Sequence, residues 1–284
     1  RKLNAMPETL EKQVKLQTGL ETLMRAWIPE VQPKAVVVGI HGFAEHSGRY
    51  SHVGSFLAEH GFSLYMYDLR GHGLSKGVRG YLDSFNQFVE DTIAFFELVF
   101  KEVNGVKLFL LGHSMGGLIA VHVAAKLNDE ISGLITSGAA LELKVKMATS
   151  LLLKLLSILK PTGRTRLPVA VDCLSKDKEV IDKYMVDPLV FKDPTYRLLA
   201  EFGKGVSEVW NLVGRISVPA LIMHGEDDCL VPPTASQKLY DRLPSSKKML
   251  KMYKGLKHEI FNETEKEIVF KDLAEWLNKH TVNI

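Results

Sequence analysis

Cysteine is scarce in this sequence, and what is present forms no recognisable pattern. The 284 residues include only two cysteines, Cys173 and Cys229, which stand far apart and outside any CxxC pair or Cys/His cluster. The usual signatures of a disulfide framework and of a structural zinc site are therefore missing. We expect neither a disulfide nor a bound metal, and the cysteine usage fits a reducing compartment.

One-sided charge and long apolar runs are also missing. The chain has 36 basic and 33 acidic residues, a formal charge of +3 and no long run of one sign, so nothing favours nucleic-acid binding. Residues 1–10 lack the apolar core of a signal peptide, and no apolar stretch reaches the roughly 20 residues that span a bilayer. With 46% hydrophobic and 24% charged residues, we expect a soluble, cytoplasmic globular protein.

The pattern of apolar residues predicts an α/β fold. Short apolar runs alternate with amphipathic stretches of helical length, which indicates a mostly parallel sheet with helices on both faces. Residues 13–18 and 20–28 flank a Thr18-Gly19 turn and predict an antiparallel hairpin at one edge, which brings the total to about eight strands. The other strands are predicted at 35–40, 62–67, 107–111, 131–136, 220–224 and 249–253. Helices are predicted at 52–60, 85–103, 115–127, 235–243 and 263–279.

The alternation of strands and helices stops between residues 139 and 213. Leucine-rich helical stretches replace the strands there, interrupted by Pro161, Pro168, Pro188 and Pro194. We therefore expect two domains: a core of residues 1–138 and 214–284, and a helical cap, or lid, inserted as residues 139–213.

The strand predicted at 107–111 runs directly into the sequence Gly-His-Ser-Met-Gly and then into a helix. This is the G-x-S-x-G pattern, in which a sharp turn lifts a serine out of the sheet and glycines leave room for the tight backbone. The helix N-terminus also points N–H groups at negative charge that forms beside the serine. Ser114 is therefore the predicted nucleophile, and the alternative is a glycine-rich turn whose serine only caps the helix.

A serine nucleophile needs a base and an acid, which follow it in the chain in this fold. His258 lies in a loop after the last strand and is preferred as the base to His280, which is close to the C-terminus. The acid comes from Gly225-Glu226-Asp227-Asp228, where Asp228 is our choice and Asp227 is its rival. The competing interpretations are that His258 is a structural histidine and that residues 225–228 form a solvated turn.

The negative oxygen of an acyl-transfer intermediate needs backbone N–H donors. These normally come from the residue after the nucleophile and from the loop after an earlier strand, here Met115 and Phe43. His41 precedes Phe43 in this loop, and we interpret it as a structural residue that shapes the loop.

Three segments resemble the monoacylglycerol lipase and lysophospholipase group of the α/β-hydrolase superfamily. They are HGFAEHSGRY at residues 41–50, DLRGHGLS at 68–75 and LGHSMGG at 111–117. The second is widespread in the fold, whereas the first and third together are much more specific. The resemblance covers the core from about Val36 to Trp276 and fades in the cap.

The resemblance implies roles for individual residues. GEDDCLVP at 225–232 matches the acid loop of the group, which places the triad acid at Asp228, the base at His258 and the oxyanion amides at Phe43 and Met115. It also makes Arg49 a candidate contact for the alcohol part of the substrate, with a structural ion pair as the alternative. We expect that neither the fold nor the activity of this family needs a metal or an organic cofactor.

The start of the cap combines apolar and basic residues. Leucine and methionine recur at helical spacing at 143, 147, 151, 155 and 159, with lysines at 144, 146, 154 and 160. Such a helix can lie on a membrane surface, or it can pack its leucines on the core, which we favour for most of these side chains. A transient membrane contact through the cap is thus expected alongside a pocket for acyl chains.

The predicted function is a serine ester hydrolase that cleaves monoacylglycerols, or similar single-chain lipid esters, to fatty acid and glycerol through an acyl-enzyme on Ser114. The alternatives are a lysophospholipase, a general carboxylesterase or thioesterase, a serine aminopeptidase-like hydrolase, and a receptor that binds an ester without turnover. The sequence does not indicate an oligomeric state.

Overall fold

The computed structural model describes residues 8–103, 105–144, 146–167 and 170–281. It contains eight strands, β1 (Glu8–Lys15), β2 (Glu21–Ile28), β3 (Ala35–Ile40), β4 (Phe62–Tyr67), β5 (Leu108–His113), β6 (Gly133–Ser137), β7 (Ala220–Gly225) and β8 (Lys248–Tyr253). They form one sheet in the order β1-β2-β4-β3-β5-β6-β7-β8.

Most of the sheet is parallel, as predicted. β1 pairs antiparallel with β2 and β2 antiparallel with β4, while the pairs from β4 through β3 to β8 are all parallel. The carboxyl ends of the six parallel strands therefore meet at the same edge of the sheet, where α/β proteins place their ligands.

Helices cover both faces because side chains along a strand alternate between them. In β3, Val36, Val38 and Ile40 pack into the core on one face, and Ala35 and Val37 pack into the core on the other. The first face is covered by α2 (Phe85–Val103), α3 (Met115–Lys126) and α7 (Thr234–Arg242), and the second by α1 (Ser51–Glu59) and α8 (Lys266–Thr281). The predicted α/β fold class is confirmed.

The first strand was predicted too late in the chain. It occupies Glu8–Lys15 rather than 13–18, and the turn to β2 has Gly19 at φ 86°. β1 is an edge strand with mostly exposed side chains, including Glu8, Glu11 and Lys12. Charged residues protect such edges from pairing with other chains, and they also hide the apolar alternation that identifies a strand.

The stretch between β6 and β7 is helical. It contains α4 (Met147–Leu159), α5 (Lys178–Val186) and α6 (Tyr196–Glu208), and its described residues form no strand. The predicted cap, residues 139–213, spans these helices, and its boundaries stay a prediction. Pro168 and the chain ends, 1–7 and 282–284, belong to predicted segments but lie outside the described residues.

The expectation that most apolar side chains of α4 pack on the core is wrong. Met147 is 81% exposed and Leu151 60%, and Leu155 and Leu159 are also exposed. Helical spacing alone could not separate the two interpretations, because it shows that a helix has an apolar face without showing what covers it. In the described ranges, no helix is both long enough and apolar enough to cross a bilayer.

The two cysteines form a disulfide, contrary to expectation. Cys173 and Cys229 are 56 residues apart, yet their Cα atoms lie 5.3 Å from each other. The fold brings them together by placing a short cap helix, Val171–Cys173, beside the loop after β7. A crosslink over a loop of this length stabilises a fold by about 4 kcal/mol on the chain-entropy account. Disulfides persist mainly in oxidising compartments, so cysteine usage no longer supports a reducing one.

Candidate active site

Ser114 lies at the sharp turn between β5 and α3. Its backbone has φ 55° and ψ −121°, a strained conformation for a residue with a side chain. The turn is possible because two glycines flank it: a Cβ on Gly112 would lie 2.2 Å from the Gly116 oxygen, and one on Gly116 would lie 2.1 Å from the Ile40 oxygen. The Ser114 hydroxyl makes no capping bond to α3, so the helix-capping alternative is wrong.

The structure brings the three predicted triad residues together. His258 Nε2 is 2.9 Å from Ser114 Oγ, and His258 Nδ1 is 2.7 Å from Asp228 Oδ2. Asp228 and His258 are buried, whereas the rival acid Asp227 is exposed. His280 bonds to the Trp276 carbonyl on α8. The arrangement is nucleophile, base and orienting acid in the order that acyl transfer needs.

The Asp228 carboxylate is held by four donors. The backbone N–H groups of Leu230 and Val231 donate to Oδ1, and the imidazoles of His224 and His258 bond to Oδ2. Burial would raise the pKa of Asp228, but the bonds from the two histidines and from the backbone outweigh it, so the pKa lies well below its usual range. Asp228 is therefore ionised, as an acceptor for the His258 N–H must be.

Both predicted oxyanion residues lie close to Ser114, one in the chain and one in space. Met115 opens α3, and the first N–H groups of a helix have no acceptor within it. Phe43 follows β3 in a loop that passes close to the nucleophile, since a Cβ on Gly42 would be 3.3 Å from Ser114 Cβ. The oxyanion role of both amides stays a prediction.

His41 shapes that loop, as we interpreted it. The buried ring bonds to the Gly42 carbonyl through Nδ1 (2.8 Å) and accepts the Leu69 N–H at Nε2 (2.9 Å). Burial lowers the pKa of His41. Both ring nitrogens are thus used in hydrogen bonds within the fold.

A cavity of about 1080 Å³ opens onto Ser114 and His258. Much of its wall comes from apolar cap side chains. They include Leu143, Leu153, Leu167, Leu174, Phe191 and Phe202. Such a wall suits an acyl chain, because each buried methylene contributes about 0.8 kcal/mol. Among the described residues, no cluster of His, Cys, Asp and Glu could hold a metal ion.

Comparison with known proteins places the chain in a family. Residues 31–265 match the family Hydrolase_4, described as serine aminopeptidase, S33. The chain is 35% identical to a monoacylglycerol lipase of Mycolicibacterium smegmatis, over 92% of this chain and 94% of that protein. It is 31% identical to human monoglyceride lipase, over 93% and 88% of the two chains. This chain belongs to the monoacylglycerol lipase group of the α/β-hydrolases.

A solved structure supports the same placement. Monoglyceride lipase of Saccharomyces cerevisiae, crystallised as a soluble variant with a substrate analog, superposes with a TM-score of 0.88 at 28% identity and covers 100% of this chain and 98% of its own. The resemblance found in the sequence motifs is therefore confirmed, and this α/β-hydrolase shares the relatives' full fold.

Arg49 lies within a buried ion-pair network of the hydrolase. Its guanidinium bonds to both Glu259 oxygens (2.8 Å each) and to Glu45 Oε2 (2.6 Å). Glu45 Oε1 in turn accepts the N–H of Gly42 (2.6 Å) and the hydroxyl of Tyr50. The ion pair offered as the alternative for Arg49 is therefore present, and its contact with substrate stays a prediction.

This network joins the two loops of the active site. Glu45 holds the loop after β3 through Gly42, and Glu259 directly follows the predicted base His258 in the chain. Burial alone would raise the pKa of Glu45, but the Arg49 charge, together with His113, His41 and the Tyr50 hydroxyl, outweighs burial and lowers the pKa from 4.5 to about 2. Sequence reasoning missed both glutamates, although Glu45 lies within the HGFAEHSGRY segment. Glu259 lies 210 residues from its partner Arg49, so this pair could not be found from spacing.

We expect the Glu45 ion pair to stabilise the fold above pH 4.5 and to lose this effect as the pH falls towards 2, because the folded protein keeps this carboxylate ionised longer than the unfolded chain does. Glu45→Gln should lower the free energy of unfolding at neutral pH by about 3 kcal/mol, since a buried charge loses one partner. Glu45→Gln should also make the free energy of unfolding fall less steeply as the pH decreases from 4.5 towards 2. Urea unfolding across this pH range measures both.

Glu30→Gln, at an exposed glutamate, is the matched control. Its free energy of unfolding should fall with decreasing pH as steeply as that of the parent protein. If the free energy of unfolding of Glu45→Gln falls as steeply with decreasing pH as that of the parent, this pH dependence does not come from Glu45.

Proposed function

We propose that this hydrolase cleaves monoacylglycerols to a fatty acid and glycerol through an acyl-enzyme on Ser114, with Asp228 and His258 completing the triad. The observation that carries the proposal is the contact of 2.9 Å between His258 Nε2 and Ser114 Oγ at the floor of a cavity with apolar walls. The names of the Mycolicibacterium and human relatives, a monoacylglycerol lipase and a monoglyceride lipase, support this substrate class.

The first half of the reaction forms the acyl-enzyme. His258 takes the Ser114 hydroxyl proton while Oγ attacks the ester carbonyl carbon, and the N–H groups of Phe43 and Met115 donate to the resulting oxyanion. Asp228 stabilises the imidazolium that forms. The intermediate collapses by breaking the bond to the glycerol oxygen, which leaves with the proton from His258.

The second half repeats these steps with water. His258 takes a proton from a water molecule, whose oxygen attacks the acyl carbon of the acyl-enzyme. The bond to Ser114 Oγ then breaks, the serine regains its proton from His258, and the fatty acid is released. Apart from the ester and water, the cycle uses only groups that the chain supplies.

The charges around the cavity favour an ester over a peptide with a free N-terminus. A bound ammonium group needs an unpaired carboxylate, as charges buried without a partner are costly. Glu45 and Glu259 line the cavity, but both are already paired with Arg49, and Glu201 lies 3.6 Å from Arg197. This pairing disfavours the aminopeptidase alternative.

We expect the intact protein to hydrolyse monoacylglycerols with medium and long acyl chains, and Ser114→Ala to lose at least about 10⁴-fold in kcat because the nucleophile is gone. Release of fatty acid measures this, with lysophospholipids and aminoacyl amides as competing substrates. Ser246→Ala, at an exposed serine before β8, is the matched control and should retain full activity.

Absence of ester turnover by the folded parent protein would overturn the proposal and favour a receptor. A higher kcat/KM for lysophospholipids or amides would reassign the enzyme to those classes.

The exposed face of α4 is our proposed site of transient membrane contact. Met147 (81% exposed) and Leu151 (60% exposed) lie on this face, and Lys146 and Lys160 flank the helix. Apolar side chains with flanking lysines are typical of helices that insert into the interface of a bilayer. Leu153, on another side of the same helix, lines the cavity, so a lipid leaving the membrane has a short path to Ser114.

The double variant Met147→Ser/Leu151→Ser should weaken binding to lipid vesicles about tenfold or more, because burial of each side chain contributes more than 1.4 kcal/mol. Cosedimentation with vesicles measures the binding. Turnover of a short, water-soluble ester should not change, since neither residue lines the cavity.

Val31→Ser is the control: Val31 is 71% exposed but lies on the core, between β2 and β3. Equal vesicle binding by the double variant and the parent would contradict the membrane role of α4.

A further inference from the structure

A second histidine contacts the catalytic acid. His224 is the last but one residue of β7, four positions before Asp228, and its side chain is completely buried. Its Nε2 lies 2.9 Å from Asp228 Oδ2, the same oxygen that contacts the Nδ1 of His258 at 2.7 Å. The two imidazoles therefore meet on one carboxylate oxygen.

The partners of His224 fix which of its nitrogens donates. Besides Asp228, the Nε2 atom faces the carbonyl of Val231 at 3.2 Å. An ionised carboxylate and a carbonyl can only accept hydrogen bonds, so Nε2 must carry the hydrogen. Nδ1 lies 2.7 Å from the hydroxyl of Ser236 on α7, a group that can donate or accept.

These bonds control both oxygens of the carboxylate. The N–H groups of Leu230 and Val231 hold Oδ1, and without His224 only His258 would remain on Oδ2. The Oδ2 atom would then have no second donor to fix its position relative to His258, although Oδ1 would keep its two N–H groups. His224 also ties the acid loop to α7 through Ser236, which links the acid to a rigid helix on the face of the sheet.

We propose that His224 is a positioning residue of the proposed triad: its Nε2–H holds Oδ2 of Asp228 towards His258 and restricts uptake of a proton by the Asp228–His258 pair. The proposal rests on the proposed function, because it needs Asp228 and His258 to act on Ser114. His224 touches neither the nucleophile nor the cavity among the described contacts, so its effect is transmitted through Asp228 alone.

Two substitutions separate the bonds of this side chain. In His224→Gln, the terminal amide nitrogen replaces Nε2 and can still donate to Asp228. The side chain of His224→Asn is shorter, so it can reach Ser236 but not Asp228. His122→Asn is the matched control, because it also removes a buried imidazole, whose hydrogen bond among the described residues is to the Gly205 carbonyl.

The experiment measures kcat and KM for a p-nitrophenyl ester, the pH dependence of kcat/KM, and the melting temperature of each variant. His224→Asn should lower kcat about 10- to 100-fold, the usual effect of losing a hydrogen bond to a charged group. KM should change less than about threefold, since binding of the substrate is untouched. The acid limb of the pH profile should move to higher pH, because the Asp228–His258 pair takes up a proton more readily.

His224→Gln should restore kcat to within about threefold of the parent and return the acid limb to its original position. Ser236→Ala, which keeps the imidazole but removes its Nδ1 partner, should lower kcat by less than His224→Asn does. It also keeps the proposal testable if His224→Asn does not fold.

Other results would overturn the proposal in distinguishable ways. If the parent is active and Ser114→Ala inactive, but all His224 and Ser236 variants keep the kcat and pH profile of the parent and lose only melting temperature, His224 is merely structural. A loss of kcat in His122→Asn equal to that in His224→Asn would assign the effect to general loosening of the core. An inactive, folded parent would overturn this proposal together with the proposed function.

Discussion

The active site depends on one strained residue, the Ser114 turn at φ 55°. This backbone lifts the hydroxyl out of the sheet, and it persists only because the surrounding structure holds it. Gly112 and Gly116 allow the end of β5, the start of α3 and the end of β3 to approach within distances that a Cβ would prevent. The loops after β7 and β8 then need only to reach the same sheet edge to bring Asp228 and His258 to the serine.

The buried carboxylates of the site are paired with hydrogen-bond donors or with an arginine. The carboxylate of Asp228 has four hydrogen-bond donors, and Glu45 and Glu259 share the guanidinium of Arg49. Buried carboxylates without such partners would take up protons or attract cations. Because Asp228 is ionised and accepts the Nδ1–H of His258, the Nε2 atom of this imidazole is free to accept the serine hydroxyl proton. The Arg49 network also joins the loop after β3 to the loop that carries His258, so the two loops hold one another in place.

The sequence predicts those features that short stretches encode. The strands from β3 to β8, the elbow at Ser114 and the order of acid and base follow from local apolar patterns and from the restricted geometry of G-x-S-x-G. It does not predict contacts between distant segments. The Cys173–Cys229 disulfide, the pairing of Arg49 with Glu259 and the bond of His224 to Asp228 all depend on the folded arrangement. The charged edge strand β1 lacks the apolar run that marks the central strands.

The most direct test of the account is covalent labelling with a fluorophosphonate, followed by peptide mass spectrometry. The reagent reports nucleophile activation without depending on the choice of substrate, since Oγ displaces fluoride from phosphorus. The account predicts one label per chain, located on Ser114, with labelling slowed about 10²-fold or more in Asp228→Asn because the base loses its orientation. A folded protein that takes up no label, or takes it at a residue other than Ser114, would contradict the account.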